Sequence, residues 1–511
     1  MKELTELVEL ISRNKIRHIE LVGTHNGYHS SVQQLYTGIV DGKFESEESA
    51  AHFFYPDSPL QKQYFLRLKK RLTRRLYNTL FFIDVSDPSY SDIQKAYYTC
   101  YKNYATTKIL IGKGARRAAI PLAKSTLTNA IRFEFTDLII DLARILRMHY
   151  GTIEGNRKRY KEYNELLKRH ETSQRAELLA EEYFIDLAVN FVKSRASQTE
   201  IEQVAEKYAS DLEAFPKRFQ TYRSLLYAYR VLVLRHQIAN DYQKTLEVCK
   251  EAIESFRTKD HLASKSAIFT FQFVILSCCI QLKRYKEGEK TALACLKILP
   301  EGSQNWYSTL ELYIILSFHT QNFQKAREIF QQATQHKGFK SQYENINEQW
   351  LIYEAFIHYF LEIGLLTSPK TGKPSALKRF RVGKFLNEVP TFSKDKRGTN
   401  ISIIIIQILF LLHQHKYGDV IDKMEALNMY CHRYLRRDDT YRSNCFIKML
   451  LQLPHARFNR VAAIRKARKY FDKLKEVPLE VAKQGSEIEI VPYELLWKLV
   501  IESLDHSFHE Y

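Results

Sequence analysis

The sequence predicts an all-helical fold, a solenoid of stacked helical hairpins preceded by an N-terminal helical accessory domain. Three observations carry this reading. Glycine and proline number only 17 and 12 in 511 residues, well under the usual ~7% and ~5%, whereas a β-sandwich or propeller needs a turn about every 8–12 residues. Apolar residues keep the i, i+3, i+4, i+7 spacing of amphipathic helices from Leu4 almost to the end. A unit of two helices joined by a polar turn also recurs, at an interval within the ~20–50 residues typical of stacked helix pairs. Hydrophobic residues at 45% and charged residues at 26% exclude wholesale disorder and an integral membrane protein as natural readings.

Residues 1–90 read as a capping or accessory region of short helices interrupted by Gly23, Gly27, Gly38, Gly42, Pro56 and Pro59. Met1 to Ile16 lack the basic and continuously apolar stretches of a signal peptide, so none is expected. Phe65 to Leu76 place Arg67, Lys69, Lys70, Arg71, Arg74 and Arg75 among Leu66, Leu68, Leu72 and Leu76, a basic amphipathic helix. It offers a phosphate-binding or acidic-partner face, or else simply a surface helix whose cationic stems cover apolar neighbours. Residues 91–215 read as weakly repetitive hairpins. Phe135, Leu138, Ile139, Leu142, Ile145, Leu146 and His149 mark one clear helix face, with His149 a hydrogen-bonded core residue. Residues 109–111 and 487–491 are the short strand-like candidates, and either suits a loop. Ser197 to Glu200 and Asn345 to Glu348 have capping-box spacing.

Within residues 216–365 the unit repeats. Its junctions are Asn240-Asp241-Tyr242, Lys283-Arg284-Tyr285 and Gln321-Asn322-Phe323, spaced 43 and 38 residues apart. A fourth, His415-Lys416-Tyr417, lies 94 residues further on, behind the apolar stretch from Ile401 to Leu412. That stretch is too short for the ~20 residues that cross a bilayer and is expected to be a buried helix. The gap before it suits two units, or one unit carrying an insertion.

In the second unit Tyr285, Gly288, Cys295 and Pro300, and in the third Phe323, Ala326, Phe330 and Ala333, match a recurring pattern of aromatic and small residues. In this the chain resembles the tetratricopeptide repeat family over about 120 residues, in degenerate form, with Val233, Leu276 and Ile314 where that family carries a first-helix glycine. The resemblance implies a right-handed solenoid gripping a peptide or helix on its concave face. The cationic clamp by which some members hold acidic chaperone tails is not implied, since Leu234, Val274 and Leu312 stand at those positions.

Lysine and arginine total 77 against 58 acids, a formal charge of +19. Such a field attracts phosphates, acidic proteins or anionic surfaces without specifying the fold. Residues 366–400 read as a basic insertion, with Lys378, Arg379, Arg381 and Lys384 near Phe380, Phe385 and Phe392. A second cluster spans 457–475 and includes Arg465, Lys466, Arg468 and Lys469, within a C-terminal region of repeat and capping helices (401–511). Cations interleaved with aromatics suit phosphates and stacked bases, and equally suit a solvated face or an acidic protein. Seven cysteines without a Cys-x-x-Cys pair argue for a reducing, cytoplasmic setting.

No phosphate loop, zinc-hydrolase or serine-hydrolase motif is present. Ile111-Gly-Lys-Gly-Ala-Arg-Arg117 reads as a helix-to-helix turn, and His413 and His415 lie on different faces of a helix. The expectation is therefore a cytoplasmic scaffold, adaptor or regulator, not an enzyme, that binds a protein or peptide partner and uses no cofactor or metal. The alternative is a helical-repeat protein that binds nucleic acid through the two basic clusters.

Overall fold

The computed structural model describes residues 4–5, 8, 30–44, 46–56, 58–81, 85, 90–193, 198–262, 265–339, 344–367, 399–434, 441–480, 489–507 and 509. Among them every regular element is helical. The chain divides into two compact units, residues 1–174 with 261–263, and residues 175–260 with 264–511.

In the first unit α1 (Ser31–Val40), α2 (Glu47–Phe54) and α3 (Gln61–Leu80) enclose Val32, Leu35, Ala50, Phe65, Leu68, Leu72 and Leu76. Gly38 does not interrupt α1 as expected. It is buried within that helix, against the Phe44 ring, and the chain breaks at Gly42, which has φ +66°. Next come α4 (Asp92–Gly112), α5 (Arg116–Arg132) and α6 (Thr136–Met148), around Cys100, Ala123, Leu127, Leu138, Leu142 and Leu146. Residues 109–111 are helical and not a strand, because they belong to the last turn of α4. The Gly-Lys-Gly segment makes the turn between α4 and α5. A π-helical turn at His149–Ile153 extends α6, and His149 is buried there with Nε2 2.9 Å from Glu154 Oε1. The long helix α7 (Arg157–Lys193) follows, its first part in this unit and the remainder, from Arg175, in the second.

The second unit continues with α8 (Gln198–Leu212) and the single turn α9 (Phe215–Arg218). Three helix pairs follow: α10 (Tyr222–Ile238) with α11 (Tyr242–Arg257), α12 (Lys265–Gln281) with α13 (Tyr285–Ile298), and α14 (Gln304–His319) with α15 (Phe323–Gln335). Then come α16 (Glu344–Glu362), α17 (Thr399–His413) and α18 (Tyr417–Tyr434). The last are α19 (Tyr441–Leu450), the short α20 (Gln452–His455), α21 (Arg460–Glu476) and α22 (Tyr493–Glu502). Asn345 lies inside α16, one residue after its start, and not ahead of it as a cap would. The 366–400 insertion, apart from Leu366, Thr367 and the first two residues of α17, lies outside the described residues, as do Ser197, Glu487 and Ile488.

All four junctions form one kind of turn. Asn240, Lys283, Gln321 and His415 adopt φ between 53° and 57°. The next residue donates its N–H to the carbonyl five positions back, Asp241 to His236, Arg284 to Cys279, Asn322 to Ser317 and Lys416 to Leu411. This is the left-handed helix ending that satisfies orphan carbonyls. Asp241 and Asn322 then cap the next helix, accepting from the N–H of Lys244 and Lys325. A fifth copy, Glu134-Phe135-Thr136, joins α5 to α6.

Small residues let the paired helices approach. Gly288, Ala292, Cys295, Ala326 and Ala333 are buried, and a β-carbon on Gly288 would lie 2.5 Å from Leu316 Cδ1 and 3.2 Å from Cys279 Cβ. The aromatics after the second and third junctions reach the next helices along the chain. Tyr285 meets His319 edge-on at 6.1 Å, and Phe323 stacks on Phe360 at 4.0 Å between ring centroids. The helices α14 and α17 are buried on nearly every side, α17 through Ile403, Ile405, Ile406, Ile408, Leu409 and Phe410. Cys100, Cys249, Cys278, Cys279, Cys295 and Cys445 are buried free thiols, and burial pushes those of Cys278, Cys279 and Cys295 up to about 12. No helix among the described residues is long and apolar enough to cross a membrane.

Candidate functional site

The chain end folds back onto the repeats. His319, at the end of α14, donates through Nε2 to the carbonyl oxygen of Glu489 at 2.5 Å, across 170 residues of sequence. Lys283 Nζ, in the second junction, lies 3.0 Å from Glu480 Oε1. At the centre of the C-terminal helices stands Arg442 of α19, fully buried. Its Nε and Nη2 donate to the Glu489 carboxylate at 2.6 and 3.3 Å, and Nη2 also reaches both oxygens of Glu494 at 2.8 Å. Nη1 donates to the carbonyls of Leu474 and Val477 at 3.0 and 2.9 Å. Burial opposes the Arg442 charge, but the two carboxylates overcome it and hold the guanidinium above its ordinary range. Burial pushes the Glu489 carboxyl up, and Arg442 pulls against that shift. A guanidinium has five N–H donors in a fixed fork, so Arg442 alone can bind the end of α21 and the start of α22 together.

The other ends of these two helices are fastened as well. Arg460 N–H donates to the Asp505 carbonyl at 2.8 Å, and Asn459 caps α21 while its Nδ2 donates to the His506 carbonyl. The start of α21 thus lies by the end of α22, and the pair is antiparallel. Between them runs an open groove of about 490 Å³. Its floor is Phe471, Trp497 and Ile501, with Ile464 at the lip, 47% exposed. The rim carries Arg460, Arg468, Asp472 and Lys475 from α21, and Glu494, Lys498 and Glu502 from α22. From Arg460 to Lys475 the helix advances about 22 Å at ~1.5 Å per residue. Rim pairs are long and exposed, Arg468 to Asp472 at 3.7 Å and Lys498 to Glu502 at 3.8 Å, so each contributes at most about 1 kcal/mol. Lys475 lies over the Phe471 ring, its Nζ 4.4 Å from the centroid. The lining holds no cysteine, histidine or serine.

Of the residues singled out in the sequence, Arg465, Lys466, Arg468 and Lys469 are all exposed on α21. They do not form one face. At about 100° per residue, Arg468 turns into the groove, Arg465 and Lys469 occupy an outer flank, and Lys466 lies on the far side. Glu476 shares that outer flank and Asp472 stands between it and the groove, so the cationic run is internally countered. Lys378, Arg379, Arg381 and Lys384 lie outside the described residues. Sequence reasoning missed Arg442, Trp497 and Ile501. The i, i+4 spacing of the last two was a visible signal, whereas nothing near Arg442 in the sequence distinguishes it.

No group of three or more metal-ligating side chains occurs among the described residues. No family model, curated protein or solved structure matches the chain.

Proposed function

We propose that the protein is a non-enzymatic scaffold or adaptor, built as a tetratricopeptide-like solenoid, that binds a protein or peptide partner. The observation that carries this reading is the groove between α21 and α22, an aromatic and aliphatic floor with charge along both rims. Such a lining fits an amphipathic helix laid lengthwise, whose apolar strip enters the floor and whose flanks meet the rims. The recurring turn and the small-residue contacts support the solenoid reading, since each pair leans on the next. The same surroundings modify the expectation of a concave-face grip. The helices α14 and α17 are covered by the chain itself, so the partner surface is drawn at the C-terminal groove.

The test is a photoreactive amino acid placed at Ile464 on the groove lip, or at Lys469 on the outer flank about 140° round the helix, in the source cell. The Ile464 probe should yield one discrete protein adduct that persists after nuclease treatment, and the Lys469 probe should not. A further pair of substitutions, Trp497→Phe with Ile501→Glu, should remove that adduct. Equal labelling from both positions would sink the groove as the partner site.

A further inference from the structure

The cationic helix of the first unit is a separate surface, and we infer that it binds single-stranded nucleic acid through its phosphates. Helix α3 carries seven cations and no acid over its 20 residues. Packing fixes its orientation, because Phe65, Leu68, Leu72, Leu76 and Thr79 are buried. The opposite face presents Arg67, Lys70, Arg71 and Arg74 at i, i+3, i+4 and i+7, a stripe about 10 Å long. All four are exposed and none forms an ion pair among the described residues, whereas Lys69, at the edge, is held by Glu47 at 3.1 Å. This is the difference from α21, where acids stand among the cations.

Three features select the ligand. Three of the four cations are arginines, whose planar forks suit phosphate oxygens. Tyr64 stands at one end of the stripe, 38% exposed, with Arg67 over its ring at 5.9 Å and the Tyr55 ring 5.7 Å away. Exposed aromatics beside a cationic track stack unpaired bases, which a duplex does not offer. The apolar face of α3 is committed to its own core, so the helix cannot sink that face into a bilayer as interfacial helices do.

The experiment measures binding of the full chain to a fluorescent mixed-sequence RNA of about 20 nucleotides by anisotropy across a salt series. Two fourfold variants are compared, Arg67→Gln with Lys70→Gln, Arg71→Gln and Arg74→Gln, and a charge-matched control with glutamine at Arg465, Lys466, Lys469 and Lys473. The α3 variant should bind at least about tenfold more weakly, with the log–log salt slope reduced by about 3, from ~0.7 per phosphate contact. The control should stay near the parent. Tyr64→Ala should weaken binding several-fold at unchanged slope, which a purely electrostatic surface would not show. Equal losses in both fourfold variants would overturn the inference, as would no loss in either. So would binding of the chain to phosphatidylserine vesicles but not to RNA. The cations are exposed, so circular dichroism and thermal midpoints matching the parent establish that the variants fold.

Discussion

Gln321 is exposed and sits at φ +56°, where a β-carbon is crowded by its own carbonyl. Glycine avoids that contact at no steric cost, and the left-handed conformation costs other residues about 1–2 kcal/mol. Gln321→Gly should therefore raise stability by about 0.5–1 kcal/mol, seen as a higher urea midpoint at unchanged slope. A lower midpoint would mean that the glutamine side chain contributes something the turn geometry does not account for. His319 makes a second, pH-dependent case. Burial lowers its pKa from 6.5 to about 4. Between these values the unfolded chain takes up a proton that the folded chain refuses. Its contribution is fully favourable above pH 6.5 and is lost as pH falls towards about 4, by up to about 3 kcal/mol at ~1.4 per unit. His319→Gln keeps a donor for the Glu489 carbonyl and cannot titrate. Urea midpoints of the parent should fall more steeply than those of this variant between about pH 6.5 and 4.5, and parallel lines would refute the assignment. Arg442 is different in kind, since removing it would take the one guanidinium from two carboxylates, Glu489 fully buried and still accepting from the Tyr493 N–H at 3.1 Å, and Glu494 partly buried.

Among the elements, the paired helices depend on where their small residues fall. At Gly288 the nearest obstacle, Leu316 Cδ1, is the end of a flexible side chain, but Cys279 Cβ is fixed to its backbone. Gly288→Val should cost about 1–3 kcal/mol by overpacking. Gly418, in the first turn of α18, has nothing within 4 Å of where a β-carbon would stand, and Gly418→Ala should gain up to about 1 kcal/mol from helix propensity alone. Thermal unfolding of the two variants should shift in opposite directions; a gain in both would show that helix propensity, not contact, governs both positions. The turns between these helices were legible because an aromatic follows two polar residues at each one. The fifth turn, at Glu134, was harder to see, because its aromatic, Phe135, precedes the helix and does not begin it.

Across the whole molecule, helical content and the order of helices could be read from local periodicity, since each amphipathic face is encoded within a few turns of sequence. The candidate groove could not. Its two walls are fixed by Arg442 reaching Glu489 and Glu494, 47 and 52 residues away, and by Asn459 reaching His506, 47 away. Those contacts leave no periodic trace. The cationic cluster at 465–469 was visible as composition, but the rotation that sends Arg468 one way and Arg465 another is a property of the folded helix.

The buried thiols give the chain its own set of chemical clocks. Cys100 lies in the first unit and Cys249, Cys278, Cys279, Cys295 and Cys445 in the second. A thiol whose pKa is raised by burial reacts only when its surroundings open. With Cys431 replaced by serine, the rate at which an alkylating reagent consumes each position reads the free energy of local opening there. The breathing of the repeats can thus be timed residue by residue, and a bound partner would announce itself by slowing the cysteines beneath it.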